Sequence, residues 1–421
     1  MLETVVMKFG GTSVGTVERI AEVAKRVLKK QSSTGKKVVV VVSAMAGETD
    51  RLVKLCRAVA GGNRFDEREY SQLVVSGEQI SSALMALALQ REGAKAMSLT
   101  AYQIPLETRR IFGKQLISDV RPDRLVSLLN QGIIPVVTGF QGIDEDGSFT
   151  TLGRGGSDTT AVAIAAALKS EACEIYTDVD GVYSASPSVC KNAKKLSHLT
   201  YEEMLELASS GAKVLQTRSV DLARKYAVRL LVKSSFTDAD GTEIVEEYAN
   251  MENAVVSGIN CRSDEAKITL RRVPDYAGNA AKIFKCLGEA GVVVDIIVQS
   301  EGAAGFSDIA FTVAEDDVDR SVEAITTLIE SKLQGVSIEV DTDVAKLSVV
   351  GEGMRNHAGV AAEMFEVLGR EGINIKMITT SEIKISVGIE RKYAELAVRV
   401  LHEYFIENES DKCAEMACCG Q

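Results

Sequence analysis

Three glycine-bearing loops hold the residues of this chain best suited to handling a phosphate. The first is Lys8-Phe9-Gly10-Gly11-Thr12-Ser13. Adjacent glycines let backbone N–H groups approach a ligand closely, and a following helix N-terminus favours an anion. Lys8, at the end of an apolar run, is placed to meet a transferring phosphoryl group as a point charge. The spacing is neither GxxxxGK[ST] nor GxGxxG, and a tight strand–helix turn with a solvated lysine explains the same residues. The second loop, Thr151-Leu152-Gly153-Arg154-Gly155-Gly156-Ser157-Asp158-Thr159-Thr160, opens an Ala-rich segment. Arg154 offers a planar fork for a carboxylate. Asp158 either caps a helix or holds the lysine beside a reacting group. The third, Thr177-Asp178-Val179-Asp180-Gly181-Val182-Tyr183, supplies acceptors for a sugar or base, or forms an ordinary Asp/Gly turn.

The elements that must carry these loops alternate. Residues 4–9 and the β-branched run 37–42 read as strands covered on both faces, with 133–138 and 173–177 as two more. Helical spacing occupies about 17–30, 78–90, 161–168, 201–209 and 213–225. Strands alternating with helices predict an α/β domain over 1–245 with a mostly parallel sheet sandwiched by helices. In such sheets ligands gather at the carboxyl ends of strands, where all three loops fall.

Composition narrows the function. The chain has 421 residues, 48 Lys+Arg against 59 Asp+Glu and a net charge of −11, which disfavours nucleic acid as a partner. Eight cysteines without metal-ligand spacing suit neither a disulfide scaffold nor a protein-built metal site and fit a reducing, cytoplasmic setting. The first residues lack the features of a secretory signal. The apolar run 161–168 is too short to span a bilayer, so no membrane association is expected.

Taken together, KFGGTS at 8–13, SAMAGETD at 43–50, SGE at 76–78, TTLGRGGSDTTA at 150–161 and TDVDGVY at 177–183 resemble the aspartate kinases of the amino-acid kinase family, in order and spacing and over nearly the whole chain. The resemblance implies transfer of the γ-phosphoryl group of ATP, with Mg²⁺ borne by the nucleotide, to the side-chain carboxylate of L-aspartate. That is the first step towards lysine, threonine and methionine. It implies Lys8 and Asp158 as catalytic residues. It implies Lys8, Gly10, Gly11, Ser13, Thr177, Asp178, Tyr183 and Lys213 around ATP, and Ser43, Thr49, Glu78, Arg154, Gly155 and Ser157 around aspartate. A carboxylate nucleophile is ionised at neutral pH, so the chemistry reduces to positioning and charge neutralisation, which suits a site of Gly, Lys, Arg and hydroxyls. The histidines, His198, His357 and His402, fall outside the loops and read as structural. A kinase of the same fold acting on another acceptor, or a sensor whose kinase half has decayed, is disfavoured by SAMAGETD, SGE and GRGGSDTT and by intact Lys8, Arg154 and Asp158.

The second half is a repeat. Residues 277–300, AGNAAKIFKCLGEAGVVVDIIVQS, recur at an offset of 81 as 358–381, AGVAAEMFEVLGREGINIKMITTS. Each copy reads strand, helix, strand, strand, helix, the split βαβ pattern of a ferredoxin-like βαββαβ module. The second copy lacks its last strand, and 254–260 precedes the first copy as a spare. The expectation is two interleaved modules, 266–341 and 252–263 with 342–406, followed by a mobile tail at 407–421. These resemble ACT modules. The resemblance implies an effector site from Asp275, Gly278, Asn279, Ala280 and Gln299 with Asn374, Ile375, Ser381 and Glu382. It implies lysine and/or threonine as effector, and either a homo-oligomer paired through these modules or a mixed assembly with a shorter regulatory chain. Modules that serve only to dimerise are the plainer alternative.

Overall fold

The structure is a computed structural model that describes residues 3–62, 65–111, 114–212, 214–246, 255–300, 305–333, 335–357 and 359–408. It divides into two compact units: residues 1–182, 195–208 and 212–249, and residues 183–194, 209–211 and 250–421. The first unit is thus not the continuous stretch expected, because two short segments group with the second.

In the first unit, β1 (Thr4–Phe9), α1 (Val17–Thr34) and β2 (Lys37–Val42) lead into α2 (Glu48–Ala60), α3 (Glu67–Val74), α4 (Ser76–Arg91) and β3 (Ala96–Leu99). A pair β4 (Leu106–Ile111) and β5 (Lys114–Val120) precedes α5 (Asp123–Asn130) and β6 (Ile134–Thr138). A second pair, β7 (Gln141–Ile143) and β8 (Phe149–Thr151), is followed by α6 (Gly156–Leu168) and β9 (Ala172–Thr177). Then come β10 (Val182–Tyr183), β11 (Lys195–Leu196), β12 (His198–Thr200), α7 (Tyr201–Ser209), α8 (Thr217–Lys225), β13 (Leu230–Ser234) and β14 (Thr242–Val245). The main sheet runs β12-β14-β13-β9-β1-β2-β6-β3, and β1 lies parallel to both β2 and β9. Alternation along β1 explains its two faces. Met7 and Phe9 pack with Ile20, Val23 and Val27 of α1 and Met85 and Leu89 of α4. Lys8 points the other way, toward α6. That helix is buried from Gly156 to Ala165 and is apolar on nearly every side after its first turn.

Residues 67–91 are long and apolar enough to cross a membrane by length and composition alone. They form α3 and α4, and Glu78, Ser81, Ser82 and Met85 of α4 are buried within the domain. The sheet β5-β4-β7-β8 was not foreseen from the sequence.

In the second unit, β15 (Gly258–Pro274), α9 (Asn279–Glu289), β16 (Val294–Ser300), β17 (Phe306–Ala314), α10 (Val318–Lys332), β18 (Ser337–Val350), α11 (Val360–Arg370), β19 (Met377–Thr380), β20 (Lys384–Ile389) and α12 (Ala394–His402) follow in order. One sheet holds every strand, in the order β16-β17-β15-β18-β20-β19. Gly258–Arg262 pair with Lys346–Val350, which in turn pair with β20; Lys267–Arg271 pair with Ser337–Asp341. Each long strand therefore serves both repeats, with register shifts between Arg262 and Lys267. Residues 252–254 of the expected second module, the last of them the first residue of the spare strand, and residues 409–421 of the expected tail lie outside the described residues. Glu407, assigned to that tail, is instead bonded at the helical C-terminal end: His402 Nδ1 lies 2.9 Å from it and His402 Nε2 2.8 Å from Ser184 Oγ, with both Ser184 and His402 fully buried.

Candidate active site

The carboxyl ends of β1, β2, β9 and β6 are stitched together by backbone bonds. Gly10 N–H donates to the Tyr176 carbonyl at 3.1 Å, Ser43 N–H to Phe9 at 3.1 Å and Gly139 N–H to Val42 at 2.9 Å. This brings the first and third loops side by side, with SAMAGETD beside the first. A Cβ on Gly11 would stand 2.9 Å from the Ala44 carbonyl, so only glycine fits there. Gly10 has no such demand: a Cβ would meet Lys8 Nζ at an ordinary 3.6 Å.

Lys8 and Asp158 are both buried, and Nζ lies 2.5 Å from Oδ1. Oδ1 has no aligned hydrogen bond, so the contact is an ion pair only. Asp158 sits in the first turn of α6, but the N-cap is Gly155 and no side chain caps the helix. The capping explanation for Asp158 therefore fails, and the carboxylate serves Lys8. Ser157 is buried beside Gly139, where a Cβ would stand 2.5 Å from its hydroxyl. Gly155 has φ +70°, and a Cβ there would run into the side chain of Gln216.

Glu78, in the first turn of α4, is 3% exposed. Its Oε1 accepts from Ala44 N–H at 3.0 Å, while Oε2 is buried without a partner. Burial pushes its carboxyl up to about 7, against the opposing pull of the Ala44 N–H. Ser81 Oγ donates to the Ser43 carbonyl at 2.7 Å, fixing the loop that carries Ser43 and leads to half-buried Thr49. An unsatisfied buried carboxylate next to such a loop is suited to receiving an ammonium group.

Arg154 is exposed. It lines a cavity that Lys8, Asp158 and Glu78 do not line, so the structure does not place it directly against the ion pair. Its loop is held by Arg218, whose guanidinium donates to the Leu152 carbonyl at 2.8 Å and the Gln115 carbonyl at 2.7 Å.

Thr177 Oγ1 donates to Asp178 at 3.0 Å, Asp180 pairs with Lys195 at 3.5 Å, and Tyr183 lies in β10. Lys213 lies outside the described residues. Sequence reasoning missed Ser235. It is buried, donates to the Thr177 carbonyl at 2.8 Å and is hydrogen-bonded to Ser13 Oγ, joining the first and third loops. The available signal was Lys-Ser-Ser at 233–235, at the end of a parallel strand not foreseen from the sequence.

In the second unit, Gly278 has φ +96° and caps α9, and Asp275, Gly278 and Gln299 are exposed. Asn279, expected to be open to a ligand, is buried. Its amide donates to the Pro274 carbonyl at 2.8 Å and its Oδ1 accepts from Lys282 at 3.0 Å. Ala280 and Ile375 pack against the apolar clusters of their own repeats. Asn374, Ser381 and Glu382 are exposed; Ser381 N–H closes a turn onto Lys384, and Glu382 lies 3.4 Å from Arg355.

A buried lysine–aspartate pair and glycine amides at the carboxyl ends of a mostly parallel sheet are the arrangement a phosphotransferase of the amino-acid kinase fold would use. Comparison with known proteins agrees. Residues 3–234 match the Amino acid kinase family and residues 347–405 an ACT domain. The Aspartate kinase of Pseudomonas fluorescens is 49% identical over 402 residues, covering 95% of this chain and 97% of its own. An Aspartokinase of Helicobacter pylori is 46% identical, covering 95% of this chain and 98% of its own. The crystal structure of E. coli aspartokinase III in complex with aspartate and ADP superposes with a TM-score of 0.80 at 26% identity, covering 95% of this chain and 99% of that one. The chain belongs to the aspartate kinases of the amino-acid kinase family and carries an ACT regulatory domain.

Proposed function

We propose that this enzyme transfers the γ-phosphoryl group of ATP to the side-chain carboxylate of L-aspartate, giving 4-phospho-L-aspartate and ADP. The carboxylate oxygen forms a bond to the γ-phosphorus as the bond to the β,γ-bridging oxygen breaks, and no proton need move. Lys8 neutralises charge on the transferring group, and Asp158 holds Lys8 in place. Amides of Gly10 and Gly11 with Ser13 face the phosphates; Thr177, Asp178, Tyr183 and Lys213 surround the nucleotide. Glu78 takes the α-ammonium and Arg154 a carboxylate, with Ser43, Thr49, Gly155 and Ser157 completing the aspartate site. Among the described residues no cluster of three or more His, Cys, Asp or Glu can cage a metal. Mg²⁺ would arrive on the nucleotide, held by its phosphates, and would supply charge neutralisation.

The observation that carries this reading is the buried Lys8–Asp158 pair at the meeting point of the strand ends. The bound aspartate and ADP of the E. coli relative support it. We read the ACT modules as the sensor for lysine and/or threonine, in a cytoplasmic enzyme opening the route to lysine, threonine and methionine. The T-state E. coli relative, solved with lysine and aspartate, supports an amino-acid effector. Assembly would run through the same modules, as a homo-oligomer or with a shorter regulatory chain.

Steady-state kinetics on aspartate with lysine and threonine, singly and together, tests the whole. Arg154→Ala should abolish turnover and leave effector binding intact, while Gln299→Ala does the reverse. Loss of both properties in both variants would overturn the assignment.

A further inference from the structure

The catalytic unit contains a cavity of about 650 Å³ that phosphoryl transfer itself does not account for. Arg154 is on its wall; none of the described residues we place around ATP is. Its walls also carry Arg68, Arg110, Lys114 and Arg218, against two carboxylates, Glu67 and Asp144. Arg110 is committed to Glu67 by a two-pronged ion pair, and Arg68 is paired with Glu69. Among the described residues Arg218 is bonded only to backbone carbonyls, which leave its charge uncompensated. Lys114 and Arg154 have no carboxylate partner among the described residues. Three cations therefore face Asp144 alone, in a chain whose net charge is −11. A local reversal of sign within a low-dielectric recess focuses the field on one mouth.

We propose that this cavity is the entrance for the acidic amino acid, with Lys114 and Arg218 drawing the anion inward to Arg154 and so setting a preference for acidic over neutral acceptors. The proposal rests on the aspartate reading above. Lys114 acts at a distance on encounter, not on the transfer step. The described nucleotide residues lie off this cavity, so ATP capture is independent of it.

Lys114 is exposed, so its replacement leaves the core untouched. At an ionic strength of about 0.01 M, where charges act over about 30 Å, Lys114→Glu should raise KM for aspartate roughly 3–10-fold. Its kcat and its KM for ATP should be unchanged. Lys114→Met should fall between, and Lys114→Arg should match the wild type. At about 1 M salt, where the screening length is about 3 Å, the series should converge. An aspartate KM that ignores the charge at position 114, or a difference that survives high salt undiminished, would overturn the proposal. So would an equal rise in the KM for ATP. Wild-type enzyme that turns over no aspartate would instead sink the functional reading, and the substrate named here with it.

Discussion

Glu78 joins burial to function most directly. Its folded-state value of about 7 lies above the ordinary 4.5. A carboxyl raised on folding binds its proton more tightly in the native state. Its stabilising contribution is complete below pH 4.5 and is lost as pH rises through about 7. The penalty at pH 8 is on the order of 3 kcal/mol, from about 1.4 kcal/mol per unit. Glu78→Gln, which keeps an acceptor for Ala44 N–H, should melt several degrees above wild type at pH 8 and within a degree or so of it at pH 5. If Glu78 binds the α-ammonium as its carboxylate, the same substitution should flatten the fall in kcat/KM for aspartate between pH 8 and 6. Melting curves and pH profiles of both proteins check the two halves separately. The residues proposed for this chemistry were legible because Lys8 sits at the end of β1, and Arg154, Asp158 and Glu78 in a loop or first turns, beside glycines that follow no strand or helix period. Ser235 was not legible, because one serine at a strand end has no signature until β9 and β13 lie side by side.

Elements set the tolerances around those residues. Gly153 and Gly155 both have positive φ, but a Cβ meets nothing within 4 Å at Gly153 and collides with Gln216 at Gly155. Gly153→Ala should cost about 1 kcal/mol and keep most activity. Gly155→Ala should displace the start of α6, and with it Asp158, lowering kcat at least 100-fold, since small misplacements near the chemistry are that costly. Thermal melts and kcat for the pair decide the point, and equal losses would contradict the steric argument. In the second unit, the Glu407 carboxylate can only accept, so His402 Nδ1–H donates to it and Nε2 is left to accept from the Ser184 hydroxyl, whose oxygen accepts Lys194 N–H at 2.9 Å. His402→Ala would strand both partners in a buried site and should destabilise the second unit by about 2–4 kcal/mol, read in a denaturant melt.

Element boundaries were less legible than element types. The β-branched runs of β1 and β2 announced strands buried on both faces. The polar sequence of β4 and β5, LETRRI and KQLISDV, did not, because much of that pair is exposed and lacks a continuous apolar face. In the second repeat the strand after α11 begins only at Met377, where β20 first offers a ladder partner. The helix expected at 213–225 begins at Thr217.

Across the whole molecule, the decisive fact is that β15 and β18 belong to both repeats. Two modules that share strands should lose structure together. Ile268, fully buried beneath the first repeat, tests this. Ile268→Ala should cost about 2–5 kcal/mol. Hydrogen exchange should then report faster opening at Val349 and Val387, which belong to the second repeat, as well as at Phe311. Protection lost in the first repeat alone would mean that shared strands transmit no cooperativity.

The irregular step between Arg262 and Lys267 acts as a joint between two reading frames. Because side chains alternate along a strand, adding one residue on either side of it would turn one repeat's apolar face outward while sparing the other. Exposed Ser263 and Asp264, lying in that step, are where a change in chain length does least harm. The other shared strand, β18, carries its own shift in the same step, between Asp341 and Val344. Anyone seeking to transplant one repeat without its twin would have to cut through both strands there, and would sever the donor and the recipient at once.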